Sequence, residues 1–177
     1  GWLGGSLAPR LAAAGHTVVG LDPVDARHTT VVGSVADRAL VERVIRAHAI
    51  EAVIHAGALH KPHVERRPAA DFLAVNVQGT LNLLEAAVAA GIGRFVLTST
   101  TSLMISRAIR AGGAREAAWI TEEMAPLLPR NIYGVSKLAA EHLCRMVHEQ
   151  HGLPVVILRT ARFFPEADDM AHTIPHT

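Results

Sequence analysis

One cysteine, Cys144, stands in a chain of 177 residues. No internal disulfide can staple such a fold, and a reduced, cytoplasmic setting is expected. Charge of one sign is lacking too, because 17 Lys and Arg face 16 Asp and Glu for a formal net charge of +1. A surface so balanced carries no field to hold nucleic acid or an anionic bilayer, and both are set aside as partners. No apolar run approaches the ~20 residues of a membrane span, and the N-terminus lacks the pattern of a secretory signal. His60 with His63, and His148 with His151, have metal-like spacing, yet no Cys or carboxylate completes either set, so no metal site is expected. Aromatics make up only 4%, with Tyr133 the sole tyrosine. What is present, 50% apolar and 19% charged residues with 14 Gly and 9 Pro, is the composition of one globular domain over 1–177.

Short β-branched runs alternate with amphipathic stretches. Helical spacing is read over Leu7–Ala14, Asp37–Ala49, Ala69–Ala90 and Ile132–His151, with Gly15, Gly91 and Gly152 as stops, and over Ser106–Arg110. Strands are read at Thr17–Leu21, Thr29–Val32, Ala52–His55, Arg94–Ser99 and Pro154–Arg159, and loop after Thr160. Strand and helix in alternation predict βαβ units, hence an α/β fold with a parallel sheet covered by helices on both faces.

Three patterns bear on chemistry. Gly1-Trp2-Leu3-Gly4 opening a helix fits the later part of a phosphate-binding turn, where bare backbone and a helix N-terminus meet a pyrophosphate. Asp22, 18 residues beyond Gly4 at a strand end, can accept both hydroxyls of an adenine ribose and would repel a 2′-phosphate, which favours NAD over NADP. A plain turn at Asp22-Pro23 is the alternative. Tyr133 and Lys137, four apart on a helix, share a face, where the ammonium can favour phenolate and make the phenol an acid/base; an ordinary exposed helix has the same spacing. Thr98-Ser99-Thr100-Thr101-Ser102 ends a strand, where open α/β sheets bind ligands, and a hydroxyl there can hold a substrate oxygen; a polar loop is the alternative.

In this order the motifs resemble the extended short-chain dehydrogenase/reductase family, the NAD-dependent epimerase/dehydratase group, over residues 1 to about 165. The resemblance implies a Rossmann-like doubly wound sheet of order 3-2-1-4-5-6 and NAD as cofactor. It casts Thr100, Tyr133 and Lys137 as the catalytic set. Gly1, Trp2, Leu3 and Gly4 correspond to the pyrophosphate turn, Asp22 to the ribose acid, and Gly33-Ser34-Val35 to the segment near adenine. His55-Ala56-Gly57-Ala58 corresponds to the strand end under the cofactor, and Asn76 to the N-V-x-G-T stretch of the long helix. Tyr133 and Lys137 would also touch the nicotinamide ribose. The implied activity is oxidoreduction or epimerisation of a secondary alcohol or ketone, in a sugar or sugar derivative. A homodimer through helices 69–90 and 132–151 is implied as well.

The pattern is not complete. The family's first strand and first glycine are missing, as is most of the substrate region after Arg159, so a fragment is expected, with two sheet edges left open. A non-catalytic NAD-binding module or an inactive truncated product is therefore the rival reading. Thr101-Ser102 stands where sugar dehydratases have Asp-Glu, which argues against water elimination. Leu103-Met104-Ile105 and Arg162 replace residues usual in epimerases, which puts a standard UDP-sugar site in doubt. Arg107 and Trp119 are left outside the site.

Overall fold

The computed structural model describes residues 1–60, 63–112 and 119–161. The chain runs α1 (Trp2–Ala13), β1 (Leu21–Asp22), β2 (Val31–Val32), α2 (Arg38–Ala47), β3 (Ala52–His55), then α3 (Ala69–Phe72), which passes through a π-helical turn (Leu73–Gln78) into α4 (Gly79–Ala89). β4 (Arg94–Thr100), a 3-10 turn (Thr101–Leu103), α5 (Arg107–Ala111), α6 (Ile132–His151) and β5 (Val155–Thr160) complete it.

Local chemistry sets most of these ends. Asp37 caps α2 by accepting from the Leu40 N–H at 3.0 Å, and Asn131 caps α6 by accepting from the Gly134 N–H at 3.0 Å. Gly152 ends α6 in the left-handed region, φ 70°, where a side chain would be strained. Two expectations fail at the N-terminal end. The first helix begins at Trp2 rather than Leu7, with Pro9 inside it. Pro9 is tolerated there although it lacks the N–H that would bond the preceding turn. The strand expected over Thr17–Leu21 reduces to Leu21–Asp22, because only those residues find a ladder partner.

Every ladder is parallel. β1 pairs with β2, and β4 lies between β3 and β5, giving separate sheets of two and three strands. In the order 3-2-1-4-5-6 the break falls between the strands that flank the first position, where open edges were expected. The core lies on one face of the larger sheet, where Phe95 and Leu97 of β4 pack with Val41 and Ile45 of α2, Leu84 and Ala87 of α4, and Ala140 and Cys144 of α6; on the other face Ile54, Val156 and Leu158 are exposed, so the cover expected on both faces is found on one. The stretch Ala69–Ala89 is long and apolar enough to cross a membrane by length and composition, and half of it is buried inside the protein. Its buried members include Asn76, Thr80 and Asn82, and these polar groups knit loops to the helix.

Candidate active site

The C-terminal end of β4 and the start of α6 meet at the site. Thr100 closes β4 and its hydroxyl accepts from the Ser102 N–H at 3.1 Å, which tightens the following turn. Asn131 starts α6 just ahead of Tyr133, so the phenol lies in the first turn and Lys137 one turn on. The phenol is half-buried and lies within the influence of the Thr100 hydroxyl. Burial pushes its pKa above the ordinary 10, and the Thr100 contact only partly offsets this. The sequence reading gave that lowering role to the Lys137 ammonium; here the threonine hydroxyl takes it, and burial prevails.

Lys137 is 2% exposed. Burial brings its ammonium down to about 8, opposed by the neighbouring Cys144 and the carboxylate of Glu141. His55, at the end of β3, is fully enclosed; burial, then the Lys137 charge, hold its imidazole at about 3. It is neutral at neutral pH, and its tautomer follows from its neighbours. Thr80 Oγ1 donates its one proton to the Asn76 carbonyl at 2.6 Å, so His55 Nε2, 3.1 Å from the same oxygen, must be the donor there.

Asn76 occupies the π-helical turn, a distortion that often marks functional positions. Its amide accepts from the Leu59 N–H at 2.8 Å and donates to the Leu59 carbonyl at 2.8 Å and to Ser136 Oγ at 2.9 Å. Ser136 in turn donates to the Tyr133 carbonyl at 2.8 Å. One side chain thus ties the segment after β3, which holds Ala56, Gly57 and Ala58, to the helix that carries Tyr133 and Lys137.

At the other end, Gly1 caps α1, so Trp2, Leu3 and Gly4 form the first helical turn rather than a separate loop. In any helix the first turn points its N–H groups outward, toward whatever lies at that end. A Cβ added at Gly1, Gly4 or Gly5 would meet nothing within 4 Å, so the backbone there is open to approach. Asp22 sits against this end: its Oδ2 accepts from the Gly1 amine at 2.5 Å and its Oδ1 from the Val24 N–H at 2.9 Å. Burial works to raise the carboxyl, but these bonds and the amine charge prevail and hold it below the usual range. A helix N-terminus beside an ionised strand-end carboxylate suits a pyrophosphate next to a ribose diol, so the residues present fit NAD. Ser34 Oγ accepts from the Ala36 N–H at 3.1 Å, and the Val35 carbonyl accepts from Asn82 Nδ2 at 2.9 Å, which pins the segment assigned to adenine onto α4.

The structure therefore joins Thr100 with Tyr133, and Asp22 with Gly1, and runs Asn76 between the β3 and α6 ends. Arg107 is exposed, and Trp119 is 88% exposed; Arg162 lies outside the described residues. His60 and His63 bond to each other, the His60 N–H donating to His63 Nδ1 at 3.0 Å. Among the described residues no group of three or more His, Cys, Asp or Glu could hold a metal ion.

Sequence reasoning passed over His55 as a buried donor, and also Asn82, Ser136 and Glu141. No local pattern marked them, because the partner that gives each its place lies on another element: Thr80 for His55, Val35 for Asn82, Asn76 for Ser136 and Ser99 for Glu141.

Comparison with known proteins follows the same lines. The family model described as NAD dependent epimerase/dehydratase family matches residues 1–177. The UDP-glucose 4-epimerase of Azospirillum brasilense is 33% identical over 168 residues, 90% of this chain and 45% of that protein. The dTDP-glucose 4,6-dehydratase of Streptomyces niveus is 36% identical over 146 residues, 80% of this chain and 40% of that protein. Among solved structures, a short-chain dehydrogenase/reductase superfamily protein from Agrobacterium tumefaciens with bound NAD matches with a TM-score of 0.75 and 33% identity, covering 90% of this chain and 46% of that one. The chain thus spans a little under half the length of these relatives.

Proposed function

This chain belongs to the NAD dependent epimerase/dehydratase family, and from that premise we propose that it serves an NAD-dependent oxidoreductase or epimerase acting on a secondary alcohol or ketone of a sugar or sugar derivative. The relatives' names support the sugar, since they include a UDP-glucose epimerase and a dTDP-glucose dehydratase. The observation that carries the reading is that the end of β4 brings Thr100 to act on the Tyr133 phenol, with Lys137 one turn along the same helix.

When bound, NAD supplies a hydride acceptor at its nicotinamide. The remaining roles fall to the chain. Tyr133 Oη removes the proton of a substrate hydroxyl, or returns one to a carbonyl oxygen, and Thr100 Oγ1 holds that same oxygen. Lys137 holds the nicotinamide ribose, while Asp22 takes the adenine ribose and the α1 N-terminus the pyrophosphate. A phenol kept protonated by burial is ready to act as the acid, so carbonyl reduction needs no prior ionisation of Tyr133. In the same reading two copies pair through the helices over 69–90 and 132–151.

Calorimetric titration with NAD, together with turnover of UDP-glucose and dTDP-glucose, tests this. Tyr133→Phe should keep the heat of NAD binding and lose about 10²–10⁴-fold in turnover, the usual worth of a positioned acid/base. Turnover by Tyr133→Phe at the unsubstituted rate would overturn the role; NAD binding with no turnover in either protein would favour a non-catalytic NAD module.

A further inference from the structure

Glu141 is fully buried on α6, one turn beyond Lys137, and it is the most heavily bonded carboxylate among the described residues. Ser99 Oγ donates to its Oε1 at 2.6 Å. Arg159 reaches it from β5, Nε to Oε1 at 3.0 Å and Nη2 to Oε2 at 2.8 Å, and Arg145 Nη2 lies 3.3 Å from Oε2. Burial works to raise its pKa, but the Arg159 and Ser99 bonds and the charges of Arg159 and Arg145 prevail, so it stays ionised.

Its three main tethers lie on different elements: Ser99 on β4, Arg159 on β5, and its own backbone on α6. Ser99 directly precedes Thr100, and its carbonyl accepts from Thr160 Oγ1 at 3.1 Å. Tyr133 is on the same helix as Glu141, two turns earlier. The carboxylate therefore spans the seam across which Thr100 must meet Tyr133. The catalytic roles proposed above make no use of it.

We infer that Glu141 is a positioning residue: by gripping Ser99 and Arg159 from α6 it fixes the end of β4 against the helix, and so sets the contact between Thr100 and Tyr133. The cost of enclosing a carboxylate explains why so many donors surround it, since a buried ion tolerates enclosure only when its lone pairs are taken up. A clamp made of short, charge-assisted bonds is also stiff, and register between a strand end and a helix is what a two-hydroxyl contact requires.

The inference rests on the proposed roles of Thr100 and Tyr133, and a single tyrosine allows the two to be tested apart. Tyrosinate absorbance of the full chain reports Tyr133 alone, because no other residue is a tyrosine. Read within milliseconds of a pH jump, it precedes unfolding. The group the structure sets against the phenol is Thr100 from β4; Lys137 is one turn along the same helix, and His55 of β3 is neutral in the range scanned. Thr100→Ala should move the phenol's midpoint upward, since it removes the hydroxyl that lowers it. Ser99→Ala leaves Glu141 paired with Arg159 and keeps the fold, yet cuts the tether to β4. It should move the midpoint in the same direction as Thr100→Ala, and should add nothing in a Thr100→Ala background, because coupled residues are not additive.

Glu141→Gln should do the same where it folds, and Ser99→Ala carries the test where it does not. A Ser99→Ala midpoint equal to the unsubstituted one, with Thr100→Ala shifted, overturns the positioning role while leaving the catalytic pair intact. An equal Ser99→Ala shift with and without Thr100 also overturns it. A Thr100→Ala midpoint that does not move at all would instead strike at the proposed catalytic pair.

Discussion

At the scale of single residues the site is expensive to fold. Lys137 is held at about 8 against its ordinary 10.5, a difference worth roughly 3 kcal/mol of folding free energy. Below pH 8 the ammonium is charged in both folded and unfolded chain, and the whole penalty falls on the fold. As pH climbs from 8 toward 10.5 the folded state gives up its proton first, and the penalty fades. Lys137→Met fills the same space without the charge, and Glu141 keeps Arg159 and Arg145 as partners. The variant should therefore be inactive yet more stable by about 1–3 kcal/mol at pH 7, the familiar exchange of function for stability. Its advantage over the unsubstituted protein should shrink steadily between pH 8 and 10.5. Denaturant unfolding of both proteins across that range checks the sign, and a Lys137→Met protein less stable at pH 7 would show that the ammonium is better compensated than its burial implies.

Between elements, close approach takes over from charge. A Cβ at Gly79 would lie 2.6 Å from Val35 Cγ2 and 3.4 Å from the Val35 backbone carbon. Val35 cannot simply retreat, because Asn82 of the same helix holds its carbonyl. Gly79→Ala gains about 1 kcal/mol of helix propensity and meets overpacking of about 1–3 kcal/mol. Net destabilisation near 1 kcal/mol is expected, with weaker NAD binding because the adenine segment is displaced; thermal unfolding and calorimetric titration measure the two separately. Nothing in the N-V-x-G-T pattern alone tells that its glycine faces Val35, 44 residues earlier. Long-range contacts of this kind are what sequence reading missed. The helices over 38–47 and 132–151 were legible because caps and periodicity are local, and β3 was legible to the residue. The strand at Thr17–Leu21 was not, since strand length depends on a neighbour the pattern cannot see. Asp22, Tyr133 and Lys137 stood out by type and spacing, whereas Thr100 was separated from its serine and threonine neighbours only by the family resemblance. Glu141 did not stand out, because its partners Ser99 and Arg159 come from two other strands.

For the molecule as a whole, the two long helices pack against each other and present an apolar outer strip. Leu73 on one is 47% exposed, while Val135 and Met146 on the other are 46% and 38% exposed. Positions 135, 139, 142 and 146 share one face of α6 by helical spacing, and 73, 77 and 81 share one face of the helix beside it. A helix pair with apolar residues outward as well as inward has a second surface to cover, and the same strip on a second copy is self-complementary about a two-fold axis. The pairing proposed above therefore predicts a dimer whose thermal midpoint rises with protein concentration, because association acts on the folded state alone. Val135→Glu with Met146→Glu places like charges at both ends of the strip without touching Tyr133, Lys137 or Glu141, which point the other way as buried or half-buried groups of the same helix. Sedimentation of the double variant should show a monomer whose midpoint no longer depends on concentration. A monomer from the unsubstituted chain at the same concentrations would remove the dimer and leave the strip to be covered by something else.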